Sequence, residues 1–158
     1  MRKRIIGTTA LQETSPPDLE WLDLDELVEV EVTSEDANHP IESALLPGQG
    51  SGWRAAAPGE QIIRLLFSRP QRLRRIWLNF EETQTERTQE YILGWSPDGG
   101  ESFQDIVRQQ WNFSPTGSTS ETEDLRVELP AVTVLELCIV PDISGGDVYA
   151  CLQQLRLA

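Results

Sequence analysis

Reactive side chains are scarce in this sequence: two cysteines, one histidine and one methionine among 158 residues. Cys138 and Cys151 do not form a CxxC pair, so neither a zinc ribbon nor a thioredoxin-type site can be built from them. They lie almost symmetrically about Ser144 and Gly145 and could face each other across a terminal hairpin. In a chain that is not exported, they are expected to be reduced and partly buried. His39 is the only imidazole that could serve as a general base. It sits in an Asn-His-Pro loop without a GxSxG elbow, so no Ser-His or Cys-His hydrolase constellation can be assembled. No apolar run approaches the roughly 20 residues that cross a bilayer. The basic opening MRKRIIGTTA also lacks an apolar stretch before Gln12 and Glu13, so a cytoplasmic, soluble protein is expected.

Positive charge is the next shortage. Thirteen basic against 26 acidic side chains give a formal charge of −13, which disfavours general nucleic-acid binding, because that relies on Lys and Arg displacing counterions from phosphate. From Glu13 to Asp36 there are ten acids and no base. Arg64, Arg69, Arg72, Arg74 and Arg75, by contrast, fall in a stretch without an acid. That stretch reads as a solvated strand face or as a basic strip for an acidic partner, with Arg64, Arg72 and Arg74 as the partner-binding candidates.

What the sequence does contain is enough apolar surface for one core: 39% hydrophobic residues, including five tryptophans. Residues 1–22, broken by Pro16 and Pro17, read as an N-terminal arm that packs through Trp21 and Leu22, and residues 23–158 as a single domain. LVEVEVT places Val28, Val30 and Val32 on one face and Glu29 and Glu31 on the other, the period of a half-buried strand. The segment up to Glu60 holds one short helical turn, opened by Pro40 and closed by Pro47 and Gly48. QIIRLLF and RLRRIWLNF read as two strands split by Ser68 to Gln71, with apolar residues on more than one face, which suggests cover on both sides or a bulge. QEYILGW and SFQDIVRQQWNF flank a Ser-Pro-Asp-Gly-Gly turn, and Ser114 to Glu123 reads as a mobile loop. LRVEL, TVLELCIV and VYACLQQLRLA complete about eight strands. With hardly any helical period, this predicts an all-β antiparallel sandwich or jelly roll.

The order of these signals resembles the galactose-binding-like jelly rolls, that is, the discoidin or coagulation-factor C-type domains and many carbohydrate-binding modules. The resembling pieces are the Ser34-Glu35-Asp36 loop, the turn from Ile41 to Leu46, Gly52-Trp53-Arg54, a strand pair and Trp95 to Gly100. Together they span most of the chain from Val28 to Leu157. A closer similarity is to the N-terminal domain of the X-ray-repair cross-complementing scaffold protein. It rests on Ser34, Asp36, His39, Glu42, Leu45, Leu46, Trp53 to Ala56, Gly59-Glu60 and Phe113-Ser114-Pro115. That similarity implies a non-catalytic intracellular adaptor that docks proteins and touches damaged DNA, although the charge here opposes the DNA role.

The chemistry narrows the choice. With 26 acids, carboxylate pairs such as Glu81-Glu82 or Glu35-Asp36 arise by abundance alone and do not select a glycosidase. Asp36, Asp142 and Asp147 are loop carboxylates of the kind that hold a structural calcium in jelly-roll sugar binders, but the spacing of an EF-hand is missing and no cofactor is expected. Sugar recognition needs an aromatic face for C–H groups and planar polar side chains for hydroxyls. His39, Arg54, Arg87, Gln110, Trp111 and Asn112 meet that requirement, with Trp111 partly exposed and stacking. The sequence therefore predicts a non-enzymatic module that holds a glycan or similar polar ligand in loops at one end of the sandwich, and its alternative is the protein-docking adaptor.

Overall fold

The computed structural model describes residues 21–48 and 50–158. The elements in chain order are α1 (Leu24–Leu27), β1 (Val28–Val32), α2 (Glu42–Leu45), β2 (Trp53–Arg54), β3 (Gln61–Glu81), β4 (Arg87–Ser96), β5 (Gln104–Phe113), β6 (Ser120–Val140), β7 (Cys151–Leu152) and β8 (Gln154–Leu157). Every strand pairing is antiparallel. The expected all-β sandwich is the observed architecture. No helix among the described residues is long and apolar enough to cross a membrane.

The two layers are made by two long strands that each serve both sheets. The first part of β3 pairs with β1 and with the second part of β6, and β4 and β5 extend that layer on the far side of β6. Beyond the corner, Gln71 to Glu81 pairs with the first part of β6 and with β8. The strand pairs predicted separately, QIIRLLF with RLRRIWLNF and LRVEL with TVLELCIV, are thus two continuous strands. The corner falls between Leu66 and Gln71, and further register shifts follow up to Arg75. Pro70 and Pro130 fall in the unpaired gaps there, where a residue without an N–H costs the ladder nothing.

The alternating pattern fills the space between the layers. Ile63, Leu65, Leu73, Ile76, Leu78, Phe80, Tyr91, Leu93, Leu135, Leu137 and Ile139 are all buried, and the Phe80 and Tyr91 rings from opposite layers meet at 5.3 Å between centroids. Trp53 and Trp77 are buried, while Trp95 packs at the margin of the core. Arg156 ties α2 to β8, its Nη1 donating to the carbonyls of Ala44 and Leu155, both at 2.9 Å.

Three details depart from the sequence reading. Ser120 to Glu123 belong to β6 rather than to a loop, because Asn79 Nδ2 donates to Ser120 Oγ, to the Glu121 carbonyl and to Thr122 Oγ1, fastening them to β3. The last strand is interrupted into β7 and β8, and α1 is an additional turn capped by the Asp23 side chain. The expected arm lies outside the described residues except for Trp21 and Leu22. Leu22 N–H donates to the Leu157 carbonyl at 2.8 Å, and the Trp21 ring lies 4.9 Å from the Arg75 guanidinium carbon.

Candidate functional site

Because β3 leaves the first sheet, turns and returns in the second, its first and last residues lie at the same end of the sandwich, with the start of β4 and the end of β6. The loops gathered there enclose a cleft of about 540 Å³. Its walls come from four segments: Asp36 and His39 after β1, Trp53 and Arg54 of β2, Glu81 to Thr85 between β3 and β4, and Asp147 to Gln153 around β7.

Arg54 is held at the centre of this arrangement. Its strand pairs with β7 through Trp53 with Leu152 and Arg54 with Cys151. On the other side Asp36 N–H donates to the Arg54 carbonyl at 2.8 Å, and Arg54 N–H to the His39 carbonyl at 3.1 Å. Trp53 locks the segment from below, Nε1 donating to the Ser34 carbonyl at 3.1 Å. The exposed Arg54 guanidinium carbon sits 5.4 Å from the Tyr149 ring centroid, within cation–π range. His39 is half-buried, and its Nδ1 is shielded without a hydrogen-bond partner, 3.9 Å from Asp36 Oδ1. A backbone bonded on both edges fixes these side chains before any ligand arrives.

The far wall is braced by Arg87 from within. Its Nε donates to Glu82 Oε1 at 2.9 Å, Nη1 to the Pro141 carbonyl at 2.8 Å and to Gln89 Oε1 at 3.2 Å, and Nη2 to Cys151 Sγ at 3.4 Å, while Phe113 lies under the guanidinium at 4.7 Å. Burial works against the Glu82 carboxylate, but the bonds from Arg87 and from the N–H groups of Gln84 and Thr85 outweigh it and hold its pKa below the usual glutamate value. Burial pushes the Cys151 thiol up, so it is a poor nucleophile. Cys138 is pushed up to about 12 by burial and by its bond to Glu60, 2.8 Å away. Both cysteines are free, each engaged with its own partner.

Of the six residues expected to hold a ligand, the structure brings His39 and Arg54 together in this cleft. Arg87 stands behind it with its donors committed to the protein. It also lines, with Asn112, a separate hollow of about 370 Å³. Gln110, Trp111 and Asn112 cannot converge, because successive strand residues point to opposite faces. Trp111 faces inward, partly buried, with Nε1 donating to Ser118 Oγ at 3.1 Å. Gln110 and Asn112 lie on the outer face, bonded to Glu90 and Thr88. Tyr149 and the turn from Glu81 to Thr85 also line the cleft without being expected sugar contacts, as does Asp147, which the sequence marks only as a loop carboxylate suited to calcium. The one available signal for Tyr149 was an aromatic residue two positions after the Ser-Gly-Gly-Asp turn.

The partner-binding candidates do not form one strip. Arg64 lies before the corner and is bonded to Glu136 at 2.6 Å, with Glu31 at 3.8 Å. Arg72 and Arg74 lie beyond it, Arg72 paired with Glu128 at 3.1 Å. Facing acids thus neutralise much of the charge. Among the described residues no group of three or more His, Cys, Asp or Glu side chains is placed to hold a metal ion.

No protein-family model matches the chain, and no curated protein matches it. Solved structures do. A carbohydrate-binding module from a family 31 glycoside hydrolase of Clostridium perfringens is similar at a TM-score of 0.64 and 17% identity, over 87% of this chain and 93% of its own. The family 32 module of C. perfringens NanJ, in complex with galactose, gives 0.60 and 13% over 82% and 92%. A pectin-binding carbohydrate-binding module gives 0.60 and 17% over 84% and 90%. The chain therefore shares the β-sandwich fold of these structures. At such identities the likeness extends to the fold alone, and what this chain binds has to be argued from its own cleft.

Proposed function

We propose that the protein is a non-enzymatic carbohydrate-binding module that holds a sugar in the cleft between Arg54, Tyr149, His39 and the Glu81 to Thr85 turn. The observation that carries this reading is the Arg54–Tyr149 pair, a flat and partly apolar platform fixed by backbone bonding in a cleft of ligand size. Sugar C–H groups rest on the platform. Arg54 and His39 offer donors to ring and hydroxyl oxygens, and the carboxylates and threonine hydroxyls around the rim accept hydroxyl protons. Structural neighbours that bind galactose and pectin support a sugar as the ligand class. The neutralised arginines weaken the case for the adaptor alternative. A glycan array with the purified protein tests the reading. Binding to at least one sugar is expected, with affinity falling about tenfold or more in Arg54→Ala and Tyr149→Ala, equivalent to about 1.4 kcal/mol. An array without a hit, or hits untouched by both substitutions, contradicts it.

A further inference from the structure

The cleft is unevenly charged, and this bears on which sugar it prefers. Four acids line it, Asp36, Glu81, Glu82 and Asp147, against one arginine, Arg54. Glu82 is matched by Arg87. Among the described residues the Asp36 carboxylate receives only the Asn38 N–H, at 2.8 Å, and stands 3.9 Å from His39 Nδ1. Glu81 and Asp147 are exposed, and neither forms an ion pair among the described residues. Arg54 is drawn over Tyr149. The cleft thus presents an excess of carboxylate charge, set in a chain whose formal charge is −13. A concave wall of low dielectric concentrates that field at the ligand position.

Resting on the carbohydrate reading above, we infer that the cleft selects a sugar bearing a free ammonium group, an amino sugar, over its N-acetylated form, and excludes uronic acids. An ammonium placed near Glu81 and Asp147 gains charge-assisted hydrogen bonds that an acetamide cannot make. A uronate in the same place meets like charge, with Arg54 the one arginine among the described residues that line the cleft.

Calorimetric titration at about pH 6, where the sugar amine is protonated, tests this with glucosamine, galactosamine, their N-acetyl forms and oligogalacturonate. The expected order is amine over N-acetyl by about tenfold at low salt, shrinking as screening shortens the reach of the rim charges, with no uronate binding. Glu81→Gln combined with Asp147→Asn should abolish the preference for the amine, bringing the affinities of the amine and N-acetyl forms together, whatever smaller loss both share from the missing rim acceptors. Near-UV circular dichroism verifies that the double variant is folded, and the two single variants give the same comparison if it is not. Uronate binding as tight as the amine, or a preference that survives both substitutions, overturns the inference and leaves the carbohydrate reading in place. Absence of binding by every sugar, whatever its charge, overturns both.

Discussion

Two polar side chains in the core lack full satisfaction: Tyr91 OH and Glu121 Oε2 are buried without hydrogen-bond partners. Burial, then the neighbouring Glu123 carboxylate, pushes the Glu121 pKa up to about 8, against the bond from Gln89 and the charge of Arg87. Burial and the same two glutamates push the Tyr91 phenol up, keeping it neutral. A carboxyl whose folded pKa is raised stabilises the fold most below the ordinary glutamate value, and that stability is lost as the pH rises towards about 8. Glu121→Gln is therefore expected to raise stability above neutral pH by about 1–3 kcal/mol and to flatten the alkaline limb of the stability curve. Denaturant melts across the pH range measure this, and an unchanged alkaline limb contradicts it. The acid limb has other sources. Asp98, its pKa held down to about 2 by hydrogen bonds from Ser102 and Ser96, contributes stability that is lost as the pH falls towards that value. Arg87 has the opposite character to Glu121, since its donors are met on every side. Arg87→Ala leaves Glu82 Oε1 without its charge partner and the Pro141 carbonyl without its donor, and a loss of about 3–5 kcal/mol is expected in chemical denaturation.

At the scale of elements, the short β2–β7 ladder sets the position of Arg54, and Gly52 sets the ladder. Gly52 has φ +71°, and a Cβ there would meet the Leu152 carbonyl oxygen at 2.9 Å and Gln153 Cα at 3.0 Å, both backbone atoms. Gly52→Ala is expected to cost at least about 1 kcal/mol and to weaken sugar binding by shifting Trp53 and Arg54 together. A variant as stable and as tight as the parent would show that the ladder does not position the platform. Individual strands were legible in the sequence because alternation is a local signal, as in Val28, Val30 and Val32. The joining of two segments into β3 was not, since Ser68 to Gln71 read as a break, and only the register across both layers shows that the chain bends there and continues. The site inherits that limit. His39 and Arg54 stood out by their own chemistry, whereas Tyr149, Glu81 and Asp147 became neighbours only when the corner brought both ends of β3 to one end of the sandwich. Gln110 and Asn112 looked suitable by chemistry, but strand alternation turned them to the outer face.

For the whole molecule, the fold is a rigid frame that leaves one end to irregular loops, where binding residues can vary without disturbing the core. The net charge of −13 favours solubility and repels polyanions at long range. It also makes association with any charged ligand depend on salt over the distance of a Debye length. The central claim is that a sugar occupies the cleft at this end, and amide chemical-shift mapping tests it most directly. On titration with a sugar found on the array, the account predicts shifts concentrated at Asp36 to His39, Trp53-Arg54, Glu81 to Thr85 and Asp147 to Gln153, with β5 and the corner of β3 unmoved. Shifts centred instead on Gln110 to Asn112, or on Arg72 and Arg74, would contradict it.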